Sequence, residues 1–234
     1  MIGLFLGDTD FSEIILNKII KLKKKYFIID FSKNNKFKKN INSNRISIGK
    51  FGKIINLIKE KKSKKVLFAG KIAKPKFSTL RLDLKGIYYM PSVIKAAKSG
   101  DAAIIKAIIK ILEKEKIKVI SSNFFNPELS LKAKNYTKLK PNSKEIKSIK
   151  KGVLYFNQLN SLDHVQALII KDEKVIATEG NQGTKKMLSK LKKGSAGILI
   201  KLPKKKQDLR MDLPTIGLNT LKDCKKYELK GIVL

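Results

Sequence analysis

The chain has 234 residues, 42% of them hydrophobic, enough to bury a core as one large domain or two small ones. Its 53 Lys and Arg against 19 Asp and Glu give a formal charge of +34, but the lysines run through every segment and only Arg45, Arg81 and Arg210 are arginines; this favours a solvated basic surface that attracts anionic substrates over a clustered nucleic-acid footprint. A single cysteine, Cys224, and a single histidine, His164, exclude an intramolecular disulfide and a Cys/His zinc site.

No stretch reaches the roughly 18 uncharged apolar residues of a spanning helix, and the N-terminal MIGLFLGDTD lacks a signal-peptide pattern. A cytoplasmic protein is expected. In chain order, Ile2 to Leu6 reads as a strand ending at Gly7, followed by the loop Asp8-Thr9-Asp10-Phe11 and a helix with Ile15, Ile19, Ile20 and Leu22 at helical spacing. Tyr26 to Ile29 is a second strand closed by Asp30, Gly52 to Lys61 a second helix, and Val66 to Ala69 a third strand ending at Gly70. Helix is expected from Pro91, broken at Ser99-Gly100, with Ser99 or Asp101 as N-cap of the restart, before a strand at Ile117 to Ile120. Such alternation implies a largely parallel sheet with helices on both faces.

The polar stretch Ala133 to Ser143 separates a domain at 1–135 from a second at 136–234. In the second, a helix near Ser143 to Asn157 precedes Val165 to Ile170 and Lys174 to Thr178, which flank Lys171-Asp172-Glu173 as an antiparallel hairpin. Gly183 to Leu191 reads as a helix, Ala196 to Leu202 as a strand, and Cys224 lies in a lysine-rich helix without an assigned role. Gly231 to Leu234 looks like a strand just beginning, so a chain short at its C-terminus is expected. The fold class is therefore α/β: a Rossmann-like parallel-sheet domain followed by a mixed α/β domain.

Strand ends at Gly7, Asp30 and Gly70 would face the crevice where open parallel sheets bind ligands, although the same glycines could simply close turns. Neither GxGxxG nor GxxxxGK[ST] is present. Asp208, Arg210 and Asp212 alternate, which puts them on one side of an extended segment. Two carboxylates and a guanidinium suit phosphoryl chemistry, with Mg²⁺ or a positioned water, although the residues alone favour a salt-bridged surface strand. Pro214 and Gly217 would fix the turn after them. Asp163 and Gln166 flank a strand start, and Glu179 to Thr184 precede a helix whose N–H groups could take an anion or merely be capped. His164 has no serine or cysteine partner motif and is read as structural.

Taken in order, Gly49-Lys50-Phe51-Gly52-Lys53, Phe68-Ala69-Gly70-Lys71-Ile72-Ala73-Lys74-Pro75-Lys76-Phe77, Pro91-Ser92 and Lys98-Ser99-Gly100-Asp101 resemble the motifs of the N-terminal domain of the LpxI-type UDP-2,3-diacylglucosamine pyrophosphatases. Asp163-His164-Val165-Gln166, Gln182-Gly183-Thr184-Lys185-Lys186-Met187-Leu188 and Asp208 to Gly217 continue the resemblance through the second half, the last being the most specific. The resemblance implies hydrolysis of UDP-2,3-diacylglucosamine to UMP and 2,3-diacylglucosamine 1-phosphate with Mg²⁺, at the cytoplasmic side of the inner membrane. It makes Asp212 the essential aspartate, with Arg210 and Asp208 beside it and Asp208 and Asp212 as candidate metal ligands. It also implies substrate contacts at Gly7, Thr9, Asp10, Phe51, Phe68, Ala69, Gly70, Lys71, Gly100, Asp101, Asp163, Gln166, Gln182, Gly183 and Thr184. Two departures stand out: the glycine-rich first loop of the family is here Gly7-Asp8-Thr9-Asp10, and its Glu-Gly-Thr-Asp is here Gln182-Gly183-Thr184-Lys185.

A calcineurin-type phosphoesterase would need several histidines and is excluded by the single His164. The competing readings are a non-catalytic basic nucleic-acid-binding protein, which would gather its lysines on one face, and a nucleotide-sugar binding or transferase domain, which would hold UDP without releasing UMP. On the pyrophosphatase reading that the resemblance implies, no nucleic acid is expected as partner; the diacyl chains are expected on the C-terminal domain, and membrane contact is expected to be peripheral and salt-reversible.

Overall fold

The computed structural model describes residues 1–73, 75–159, 165–180, 182–203, 208, 210 and 215–234. The chain divides into two compact units, Met1–Lys132 with Asp208–Asp212, and Ala133–Gln207 with Leu213–Leu234. Among the described residues no helix is long and apolar enough to cross a membrane.

In the first unit, β1 (Ile2–Leu6), β2 (Tyr26–Asp30), β3 (Ser43–Asn44), β4 (Lys65–Ala69) and β5 (Lys118–Val119) form a five-stranded sheet in the order β3-β2-β1-β4-β5. Every pairing in it is parallel. Around it lie α1 (Asp10–Lys21), α2 (Phe51–Glu60), α3 (Leu84–Ala97) and α4 (Asp101–Lys114). The period-two geometry of strands separates the side chains into two cores. Phe5, Phe27, Ile29, Val66 and Phe68 pack with residues of α2, α3 and α4, while Leu4, Leu6, Ile28 and Leu67 pack with Ile15, Leu16 and Ile19 of α1. Burial on both faces is why these strands are continuous apolar runs in the sequence. Leu67 is fully buried, and its truncation to alanine would cost about 2–5 kcal/mol.

Two helix starts differ from the sequence reading. Helix α3 begins at Leu84, two turns before Pro91, because Asp83 caps it by accepting from the Gly86 N–H at 2.8 Å. Pro91 sits inside the helix, where it forfeits one backbone hydrogen bond while the neighbouring Met90 and Val93 remain buried in the core. Helix α4 starts at Asp101, but its N-cap is Gly100, with φ of 103° and no side-chain cap. That left-handed conformation is open to glycine and costly for Ser or Asp. The short edge strand β3, Ser43–Asn44, has no apolar pattern to announce it.

The second unit holds a four-stranded mixed sheet in the order β7-β6-β8-β9, built from β6 (Ala167–Lys171), β7 (Lys174–Thr178), β8 (Ile198–Lys201) and β9 (Gly231–Val233). The β6–β7 hairpin is antiparallel, with Asp172 and Glu173 both at positive φ at its tip; β6–β8 is antiparallel and β8–β9 parallel. Helix α5 (Ser143–Gln158) opens with a capping box, Asn142 and Glu145 each satisfying the other's backbone N–H. Leu168, Ile170, Ile198 and Ile200 meet Phe156 of α5 on one face. Ala167, Ile169 and Leu199 meet Met187 and Leu188 of α6 (Gly183–Ser189) and Cys224 of α7 (Leu218–Lys226) on the other. The fold is thus α/β, a parallel sheet followed by a separate mixed sheet with helices. Burial pushes the Cys224 thiol up to about 11, with Asp223 adding to the shift, so it stays a neutral core side chain.

Candidate functional site

The register of the first sheet sets Leu6 of β1 opposite Asp30 of β2 and Ala69 of β4, so three carboxyl ends open at one level. Above them the Gly7 N–H donates to the Ala69 carbonyl and the Asp8 N–H to the Lys71 carbonyl, both at 2.9 Å. The Ser12 hydroxyl, buried in the first turn of α1, lies 2.9 Å from the Gly7 carbonyl oxygen and 2.8 Å from that of Ala69. Gly70 has φ of 83°, and a Cβ there would fall 2.0 Å from Ser12 Oγ and 3.0 Å from Thr9 Oγ1. The structure therefore brings Gly7, Thr9, Gly70 and Lys71 together, with Ser12 as the clasp. Sequence reasoning missed Ser12; its only signal was a small polar residue on the buried side of an amphipathic helix.

Other residues singled out from the sequence are placed differently. Phe51, Phe68 and Ala69 bury their side chains in the two cores, Phe51 against Tyr89 with ring centroids 6.2 Å apart. Asp10 opens α1, and Asp101 follows Gly100 at the start of α4. Asp30, fully buried, closes β2 by accepting from Ser32 N–H, Ser32 Oγ–H and Phe37 N–H. Arg45 donates from Nη1 to the carbonyls of Asp30 and Ser32 and approaches Asp30 Oδ1 at 3.4 Å.

A second carboxylate ties two helix starts together. Asp83 accepts from Gly86 N–H at 2.8 Å, from Gly52 N–H at 3.0 Å and from Lys53 N–H at 3.0 Å. Desolvation pushes its carboxyl up, but the three backbone donors, together with the charge of Lys50, outweigh it and hold the pKa below the ordinary value. Asp83 thus serves the Gly52 and Lys53 N–H groups in the first turn of α2, within the Gly-Lys-Phe-Gly-Lys motif.

In the second unit Gln166, Glu179 and Thr184 converge. Glu179 directly follows β7 and is 7% exposed. Its Oε2 accepts from the Gln166 backbone N–H and its Oε1 from the Thr184 hydroxyl, each at 2.7 Å. Lys201, at the end of β8, donates from Nζ to Thr184 Oγ1 at 3.2 Å and to the Thr215 carbonyl at 3.0 Å. Gln182 occupies the N-cap position of α6 without a side-chain cap bond, and Gly183 follows at φ of 81°. Helix α6 has seven residues, and the Glu179 carboxylate stands at its first turn.

Asp208 and Arg210 form a forked pair. Asp208 Oδ1 accepts from Arg210 N–H and Nε–H at 3.0 Å each, and Oδ2 accepts from Nη2 at 2.8 Å. Arg210 Nη1 also donates to Glu113 of α4 at 2.8 Å. Sequence order puts these two residues beyond position 136, yet their contacts group them with the first unit. The Arg210 guanidinium beside Asp208 is the main reason its carboxyl lies below the ordinary range, against opposing desolvation. Asp208 and Glu113 raise Arg210 in turn, so it stays cationic at any working pH. Asp212, Asp163 and His164 lie outside the described residues. Among the described residues no group of three or more His, Cys, Asp or Glu could hold a metal ion.

Comparison with known protein families matches the LpxI N-terminal domain to residues 1–129 and the LpxI C-terminal domain to residues 132–234. The chain belongs to the LpxI family. It is also similar to the UDP-2,3-diacylglucosamine pyrophosphatase LpxI of Caulobacter vibrioides, with 32% identity over 198 residues, covering 80% of this chain and 71% of that protein. In this LpxI-family chain the parallel sheet lies within the N-terminal match, and the mixed sheet with Glu179, Thr184 and Lys201 lies within the C-terminal match.

Proposed function

We propose that this protein hydrolyses the pyrophosphate bond of UDP-2,3-diacylglucosamine, releasing UMP and 2,3-diacylglucosamine 1-phosphate in lipid A biosynthesis. The observation that carries the reading is the ordered match of both LpxI domains along the chain, supported by 32% identity to a relative named for that activity. In the reaction a water oxygen joins one phosphorus, and the bridging oxygen leaves with the other phosphate.

The uridine diphosphate is assigned to the level carboxyl ends of the first sheet, around Gly7, Thr9, Gly70 and Lys71, where backbone lies close to the opening. The net charge of +34 favours approach of a pyrophosphate anion. Asp212 is assigned the essential carboxylate, which orients the attacking water, and Arg210 fixes Asp208 through its fork. Magnesium belongs to the proposal because this ion leans on one or two carboxylates plus substrate phosphates and keeps several waters, so it needs no cage of protein ligands. Asp208 and Asp212 would hold it, Asp208 through whatever acceptor capacity Arg210 leaves on its two oxygens. When bound, the ion would neutralise charge developing on the phosphates.

Contact with the membrane that carries the lipid substrate is assigned to lysine attraction toward anionic headgroups, reversible by salt. The test of the whole reading is UMP release from UDP-2,3-diacylglucosamine by the purified chain, with and without Mg²⁺. Magnesium-dependent release is expected. UDP binding without UMP release would instead make the protein a nucleotide-sugar binder, and neither binding nor release would end the reading.

A further inference from the structure

Helix α3 is apolar on both its sides, whereas a helix at a protein surface ordinarily turns a polar face outward. Gly86, Met90 and Val93 are buried, the last two in the core of the first unit. Leu84, Ile87, Tyr88, Pro91 and Ile94 are exposed, Leu84 by 86%, Ile87 by 60% and Tyr88 by 74%. At 3.6 residues per turn these five fall within an arc of about 120°, so they form one continuous stripe. The outward positions of α2, by contrast, are Lys53, Asn56, Lys59 and Glu60. An exposed apolar stripe of this kind marks an interaction surface.

The charges around the stripe select its occupant. Residues 84–98 contain no Asp or Glu. Lys95 and Lys98 continue the same arc at the end of the helix, and Arg81 stands just before its start; all three are exposed and, among the described residues, outside any ion pair. Lys85, on the flank, is already paired with Glu115. A second copy of the chain fits poorly, because each copy carries +34 and one five-residue stripe falls short of the roughly 800 Å² per partner of a stable interface. An anionic lipid surface answers both features: its headgroups meet the three cations and its acyl boundary takes the apolar side chains. Tyr88, with an apolar ring and a polar tip, suits that boundary.

We propose that α3 is the membrane-docking element of this protein, lying along an anionic lipid surface with Leu84, Ile87, Tyr88, Pro91 and Ile94 at the headgroup–acyl boundary and Arg81, Lys95 and Lys98 against lipid phosphates. The choice of a lipid surface rests on the pyrophosphatase reading above, which supplies a membrane-borne substrate as the reason to dock. The proposal narrows the general lysine attraction to one face and adds a shallow apolar contact to it. Docking stays peripheral and salt-reversible, because five side chains are too small an anchor to hold without the cations beside them.

The experiment measures partition of the full chain onto vesicles of equal parts phosphatidylcholine and phosphatidylglycerol, and onto vesicles of phosphatidylcholine alone. The triple variant Leu84→Gln, Ile87→Gln, Tyr88→Gln keeps the net charge, so it isolates the apolar stripe; because the three side chains are exposed, Tm should not change. Partition onto the anionic vesicles is expected to fall on the order of tenfold or more in the triple variant, and by a similar factor in Lys95→Gln with Lys98→Gln. Ile41→Gln, which removes an isolated exposed side chain outside the stripe, should partition as the unaltered protein does. Turnover of UDP-2,3-diacylglucosamine held in anionic vesicles should fall with partition in the triple variant, while turnover of detergent-dispersed substrate should stay normal. Equal partition of the triple variant and the unaltered protein would overturn the proposal. So would a lipid-free dimer that the triple variant converts to monomer, since the stripe would then belong to a second copy. Unaltered protein that docks through this face yet releases no UMP would uphold the docking surface and sink the pyrophosphatase reading, which tells the two failures apart.

Discussion

Asp208 and Arg210 are joined both side chain to backbone and side chain to side chain, while Arg210 reaches Glu113 on α4 with its remaining nitrogen. The planar guanidinium spans both oxygens of Asp208 at once, which a lysine ammonium cannot do. Arg210→Lys is therefore expected to lower kcat on the order of tenfold and to loosen Asp208, even though the charge is kept. The measurement is steady-state turnover of Arg210→Lys beside Asp208→Asn. If the lysine variant turns over at the normal rate, the fork has no part in the reaction.

Asp212→Ala is expected to keep its affinity for UDP-2,3-diacylglucosamine while losing on the order of a hundred-fold or more in kcat, because a group that orients water or metal acts on the transition state. Binding by calorimetry and turnover by UMP release separate the two quantities. Normal turnover in Asp212→Ala would remove it from the reaction.

Gly70 is held by the protein's own packing as well as by its backbone. With φ of 83° and Ser12 Oγ 2.0 Å from any added Cβ, Gly70→Ala should lose about 1–2 kcal/mol from the left-handed conformation alone, with the clash adding to it. A lowered Tm is expected, and uridine diphosphate binding should weaken with it. Adding Ser12→Ala should recover part of the Tm by removing the clashing oxygen, leaving the backbone strain. An unchanged Tm in Gly70→Ala would show that the loop has room to move.

Glu115 supplies an acid-sensitive contact. Burial pushes its carboxyl up, but hydrogen bonds from Lys59, Lys85 and Tyr89 outweigh this and bring it down to about 2. A folded-state pKa below the unfolded value stabilises the protein above the unfolded pKa, near 4.5, and that stability is lost as pH falls toward 2. Urea unfolding midpoints should accordingly drop between pH 5 and pH 3, about these values. Glu115→Gln should be less stable at pH 7 and less sensitive to pH across this window. A parallel decline in both proteins would assign the acid loss to other carboxylates.

The apolar runs from Ile2, Tyr26, Val66 and Val165 determined their strands without help from the rest of the chain, because a strand buried on both faces is apolar along most of its length. The hairpin at Asp172-Glu173 and the alternation of strand and helix were legible from local pattern too. Ordered motifs carried the family. Helix starts were less legible where a distant group decides them: Asp83 begins α3 ahead of Pro91 while also serving α2, thirty positions earlier. Gly100 replaced the expected caps because φ is set by the chain's path between α3 and α4. Ser12 between the Gly7 and Ala69 carbonyls, Glu179 on Thr184 and Gln166, and Arg210 on Glu113 across 97 positions were decided by tertiary structure alone. Local periodicity records which face of an element must leave water, whereas the partner of a polar side chain depends on which other elements the fold brings within about 3 Å of it.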